Sequence, residues 1–140
     1  MDKNEIQNIV TEYLYSREEI LTAYIFGSFN SDKGYNDIDI AIYIRDDYIL
    51  ENFQKHPFGY ESELLGNLNL MLKTDKIDLL VLNKAGLTIS IQVYNSGTLL
   101  FEKDRFRRIH IENTIRKEYI DTEHFRKIQS HYLKQRLNVR

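Results

Sequence analysis

Three carboxylates and one glycine–serine pair are the parts of this chain whose types and spacing could do chemistry. The run Asp37-Ile38-Asp39-Ile40-Ala41-Ile42-Tyr43-Ile44 alternates at period two. On a strand that sets the four isoleucines on one face and both aspartates on the other, with the aspartate Cα atoms roughly 6.5 Å apart. Two acids so placed at the start of a strand can share a divalent cation. Upstream, Gly27-Ser28 ends the apolar run Ala23-Tyr24-Ile25-Phe26. Glycine lets a backbone come close to a ligand, and the serine hydroxyl and amide can meet a phosphate. Downstream, Asp78 is the only acid in Lys76-Ile77-Asp78-Leu79-Leu80-Val81-Leu82. An acid among core-type residues costs several kcal/mol unless it is paired or metal-bound.

Each part alone has a plainer reading. Asp-x-Asp at a strand edge is commonly a turn cap or a solvated edge, and Asp78 could cap its strand or pair with Lys76. Their coincidence points further. A phosphate over Gly27 and Ser28, Mg²⁺ held by Asp37 and Asp39, and Asp78 helping to place a second Mg²⁺ describe two-metal nucleotidyl transfer, with metals roughly 3.5 to 4 Å apart.

The elements that must carry these residues are a mixture of strands and helices. Ile6, Ile9, Val10, Tyr13 and Leu14 have helical spacing and predict a helix from about 3 to about 20. Strands follow at 23–27 and 37–44, then an irregular stretch through His56-Pro57-Phe58-Gly59. A helix starting at Glu61 or Ser62, with Leu64, Leu65, Leu68, Met71 and Leu72 as its apolar positions, leads back to the Asp78 strand. Residues 86–95 read as a helix stopped at Gly97, and Thr98 to Phe101 as a short extended piece. From Asp104 two helices are expected, broken near Ile120-Asp121-Thr122, with Asp121 or Thr122 as the cap of the second. The expected fold is α/β (α+β): a small mixed sheet with flanking helices and C-terminal helices. Tyr43 shares strand parity with Asp37 and Asp39, so it is the tyrosine expected on their face.

With 140 residues, 42% hydrophobic content and one proline, the chain fits a single domain over 1–140. It contains no cysteine, which leaves out disulfides, thiolate metal sites and a thiol nucleophile, and suits a reducing cytoplasm. No apolar stretch approaches the roughly 20 residues of a membrane span, so a cytoplasmic location with no membrane partner is expected. Residues 1–102 hold 8 Lys/Arg against 16 Asp/Glu, a balance of −8, whereas 103–140 hold 11 against 5, or +6. The segment 103–140 is therefore a basic helical extension. It could meet an acidic partner, RNA, or the negative front of its own domain, and it equally suits a solvated helical face.

The stretch Phe26-Gly27-Ser28 through Asp37-Ile38-Asp39, followed by Asp78, resembles the polymerase-beta-type nucleotidyltransferase superfamily. Chain length and the segment Asn95-Ser96-Gly97-Thr98-Leu99-Leu100-Phe101, leading through Asp104 and Arg105 into helices, narrow the resemblance to minimal nucleotidyltransferases, the MNT-type antitoxins of HEPN/MNT pairs. There is a departure. Members often follow Gly-Ser with an arginine-containing segment and another glycine, whereas here Phe29-Asn30-Ser31-Asp32-Lys33 precedes Gly34. Lys33 stands where an arginine would reach the phosphates, and the two side chains are not equivalent donors.

The resemblance implies a polymerase-beta-like fold, two Mg²⁺ ions, ATP as substrate and a HEPN ribonuclease toxin as partner. It further implies a type VII antitoxin that moves AMP from ATP to a toxin tyrosine and so neutralises it. Asp37, Asp39 and Asp78 would be the catalytic and metal-binding residues; Gly27, Ser28 and Lys33 would bind the nucleotide. Two rivals remain: an antitoxin that works by contact alone, and an antibiotic-type enzyme acting on a small molecule. Arg105-x₄-His110 and Arg126-x₄-His131 match the spacing of HEPN ribonucleases, but in a tail with seven arginines and three histidines such spacings arise by chance. Direct nucleic-acid binding is not expected.

Overall fold

The computed structural model describes residues 1–31, 34–52 and 59–138. Helix α1 spans Lys3–Ser16, with Asp2 as its N-cap accepting from the Glu5 amide, and it buries Ile6, Val10 and Leu14, one per turn. It stops earlier than its pattern predicts. Arg17 turns extended and hands the chain to β1 (Ile20–Phe26), whose first residue is wholly buried. A 3₁₀ turn over Gly27–Asn30 follows, then β2 (Ile38–Ile44).

Helix α2 (Asp46–Asn52) was not legible in the sequence, because the seven residues are too few to show a period. The expected irregular stretch at His56, Pro57 and Phe58 lies outside the described residues. Helix α3 (Gly59–Leu72) buries Tyr60, Leu64, Leu68 and Leu72 and leads to β3 (Ile77–Val81). After a 3₁₀ turn at Leu82–Lys84 come α4 (Leu87–Ser96) and β4 (Thr98–Glu102). Gly97 ends α4 as expected, and for a steric reason: a Cβ there would collide with the Val93 carbonyl.

One expectation is overturned. The basic extension is a single helix, α5 (Arg105–Asn138), rather than two helices broken near residue 121. No glycine or proline interrupts it, and Thr122, read as a cap, instead donates its hydroxyl back to the Glu118 and Tyr119 carbonyls inside the helix.

The sheet order is β3-β2-β1-β4, with β2 and β3 parallel and the other pairs antiparallel. Ile38, Ile40, Ile42 and Ile44 are all buried on the face covered by α1 and α3, as the alternation requires. The opposite face carries a smaller core of Tyr24, Ala41, Leu82 and Val93 under α4 and α5. Burying each of these large side chains contributes roughly 1.5–3 kcal/mol. Together they hold the starts of β2 and β3 level. Among the described residues no helix is long and apolar enough to cross a membrane.

Candidate active site

The site is assembled where β1 ends and β2 and β3 begin. Parallel pairing places Asp39 directly beside Asp78, and antiparallel pairing places Asp39 opposite Phe26, the residue before Gly27. Three segments far apart in sequence thus meet at one carboxylate. Gly27 adopts φ +72°, a left-handed conformation that costs side-chain-bearing residues, and a Cβ there would collide with the Asp39 carboxylate. Its glycine is required twice over. The turn it opens is pinned by Phe29, buried in the core, and by Asn30 Nδ2, which donates to the Ile25 carbonyl at 3.0 Å. Ser28 sits in that turn, its hydroxyl donating a long 3.4 Å bond to the Asp37 carbonyl.

Asp39 is partly buried, whereas Asp37 and Asp78 are exposed. The energetic burden therefore falls on Asp39 and not, as the sequence suggested, on Asp78. Desolvation raises the Asp39 pKa; the Asp78 carboxylate, within hydrogen-bonding reach, and the Asp37 charge raise it further. Among the described residues no three His, Cys, Asp or Glu side chains stand as a ready-made cation cage. The near pair is Asp39 with Asp78, while Asp37 acts on Asp39 through its charge. Oxygen donors of like charge held this close suit a hard divalent cation, which would relieve the repulsion that lifts the Asp39 pKa. The residues fit Mg²⁺.

The chain's sequence over residues 7–106 matches the family model "Polymerase beta, Nucleotidyltransferase". The chain belongs to the polymerase beta nucleotidyltransferase family. No curated protein matches this sequence. Among solved structures, this nucleotidyltransferase-family chain resembles one described as a tri-AMPylated Shewanella oneidensis HEPN toxin in complex with MNT antitoxin. The TM-score is 0.71 at 22% identity, covering 95% of this chain and 99% of the other. A toxin–antitoxin structure with AMP-PNP gives TM-score 0.69 at 20% identity, covering 96% and 99%. A structure of the toxin–antitoxin MntA–HepT gives 0.59 at 19% identity, covering 97% and 99%. At such identities the likeness is one of fold: a mixed four-stranded sheet with flanking helices.

Not every anticipated residue joins the site. Lys33 lies outside the described residues. Tyr43 shares the face of Asp39 but stands four residues further along β2, roughly 13 Å away. There its hydroxyl donates to Asp46 Oδ1 at 3.0 Å, at a cleft of about 370 Å³ also lined by Tyr94, Arg107 and His110. What sequence reasoning missed was the contact between Gly27 and Asp39. The signal was a glycine at a strand end, but which side chain it makes room for depends on strand pairing.

Proposed function

We propose that this chain is a Mg²⁺-dependent nucleotidyltransferase that moves AMP from ATP to a tyrosine of a cognate HEPN ribonuclease toxin and thereby neutralises it. The observation that carries the reading is the Asp39–Asp78 carboxylate pair, set against the Gly27 turn in a nucleotidyltransferase-family chain. The neighbouring complex of a tri-AMPylated HEPN toxin with an MNT antitoxin supports the choice of a toxin as acceptor, and the toxin–antitoxin structure with AMP-PNP supports the choice of nucleotide.

In this reading the Gly27–Ser28 turn receives the phosphates, with the Ser28 hydroxyl turning from the Asp37 carbonyl to a phosphate oxygen. Asp37, Asp39 and Asp78 would hold Mg²⁺, which supplies charge neutralisation at the phosphates when bound. Asp78, the exposed partner of Asp39, takes the proton of the incoming tyrosine hydroxyl. The hydroxyl oxygen bonds to the α-phosphorus, the bond from that phosphorus to the bridging oxygen breaks, and pyrophosphate leaves. The acids hold and position, and Asp78 carries the proton away; none of them forms a bond to phosphorus.

The test is transfer of label from α-labelled ATP to the purified toxin in Mg²⁺. Asp39→Asn should lower it on the order of 10²–10³-fold. Toxin inhibition unchanged by that substitution would instead favour neutralisation by contact. One observation favours this second reading: the outer half of α5 exposes Phe125, Ile128, Tyr132 and Leu137, a surface available to a partner.

A further inference from the structure

Behind the catalytic strand starts lies a cavity of about 570 Å³, lined among others by Tyr35, Asn36, Ile38, Lys73, Thr74 and Lys76. Ile38 is the residue between Asp37 and Asp39, with opposite strand parity, so this cavity opens on the sheet face away from the acids. Its chemistry is the inverse of theirs. Residues 1–102 carry −8, yet two of their eight basic residues, Lys73 and Lys76, line this space, and a third, Lys3, sits against the ring of Tyr35 while donating to the Ser31 carbonyl.

Two features set the cavity apart from a chance gathering of lysines. Lys73 is the one non-glycine residue with a left-handed backbone among the described residues (φ 55°), directly after the last residue of α3. Glycine is the low-energy choice at that helix-ending position. Here a strained lysine is kept, which places an ammonium at the rim. The turn is then fixed by Thr74 Oγ1, which accepts from the Lys76 amide at 3.1 Å, so both lysines leave one rigid turn. The second feature is the Tyr35 ring, held at 4.9 Å from Phe29, with the Lys3 ammonium 5.7 Å from its centroid. A braced ring beside cations is a wall for a flat base, while Asn36 and Thr74 offer hydrogen bonds to a sugar or base edge.

We infer that this cavity is a second nucleotide site, distinct from the catalytic one, in which a nucleoside phosphate stacks on Tyr35 and places its phosphate between Lys73 and Lys76. The inference goes beyond the proposed transfer reaction and needs none of its carboxylates, so the site binds without a divalent metal. Asn36 lines the cavity and precedes Asp37, so an occupant touches the backbone that carries the catalytic acids.

Calorimetric titration of the full chain with AMP in EDTA tests it, with pyrophosphate and adenosine as separate probes. AMP should bind more tightly than either probe, because each supplies half of the contacts. Lys73→Glu and Lys76→Glu should each weaken AMP about tenfold or more. Lys73→Gly, which relieves the backbone strain, should raise the melting temperature and still weaken AMP. Asp39→Asn should leave this binding intact while removing AMP transfer, which separates failure here from failure of the transferase reading. The inference is overturned if AMP affinity is unchanged in the lysine variants or lost in Asp39→Asn. It is equally overturned if pyrophosphate binds as tightly as AMP and Tyr35→Ala changes nothing, since that describes a plain anion patch.

Discussion

Asp39 is the residue on which the competing demands of this molecule converge. Burial and two neighbouring acids raise its pKa, so its charged form opposes folding at neutral pH and the native state gains relative stability as pH falls through that raised value. Asp39→Asn removes the charge. In metal-free buffer at neutral pH it should melt higher than wild type while losing transfer, and Mg²⁺ should raise the melting temperature of wild type but not of the variant. Scanning calorimetry with EDTA or Mg²⁺ checks both. Gly27→Ala tests the other side of the contact. The substitution combines a left-handed backbone with a clash against Asp39, so we expect a loss of about 1–3 kcal/mol in stability together with lost transfer. Retention of full activity in Gly27→Ala would mean that the Asp39 carboxylate need not occupy that position. The sequence singled out both residues as candidates. That they touch could not be read, because a contact across twelve residues depends on the register of β1 with β2.

At the scale of elements, the alternation in β2 was strong enough to reveal both its faces, the apolar spacing of α1 and α3 was equally plain, and α4 left a weaker pattern. Legibility failed where local and long-range demands differ. The start of β1 overrides the helical pattern of α1 because Ile20 is drawn wholly into the core. Asp121 and Thr122 look like a cap, yet an N-cap needs a non-helical backbone at that residue, and no glycine or proline nearby forces one. Among the described residues, the ties of the resulting long helix to the sheet lie along its first turns. Tyr24 donates to Glu112 Oε1 at 2.7 Å, Arg108 pairs with Glu102 and Glu112, and Arg116 reaches the Tyr94 carbonyl at 3.2 Å. Beyond these, Phe125, Tyr132 and Leu137 are 61%, 64% and 74% exposed. Removing everything after Tyr119 should therefore leave the melting temperature within a few degrees of wild type while sharply weakening toxin binding, as read by size-exclusion chromatography of the mixture. A cut after Phe101 would also strip the anchoring pairs and could not separate folding from binding.

For the whole molecule, the tyrosines set an alkaline limit. Burial, followed by the nearby Glu112 or Glu19 carboxylates, raises the pKa values of Tyr24 and Tyr60 well above the ordinary 10.0, and burial pushes Tyr94 to about 12. A phenol whose folded pKa lies above its unfolded one contributes stability that is full below the unfolded value and is lost as pH rises through the folded one. The protein should thus keep its stability up to about pH 10 and lose it progressively toward pH 12. Tyrosinate absorbance and circular dichroism followed together would check this, with unfolding accompanying ionisation. Tyr24→Phe should soften that dependence and lower stability at pH 7 by about 1–2 kcal/mol, since Glu112 loses a partner.

The anchoring of α5 has a mechanical side. Beyond Arg116 the helix continues for 22 residues to Asn138, roughly 33 Å, so it acts as a lever whose fulcrum is the Arg116–Tyr94 contact, with the Tyr24–Glu112 bond one turn further in. Tyr24 lies on β1, three residues before Gly27, which opens the turn after that strand. A load on the outer end of the lever would therefore reach, through Tyr24, the strand that leads into the Gly27 turn.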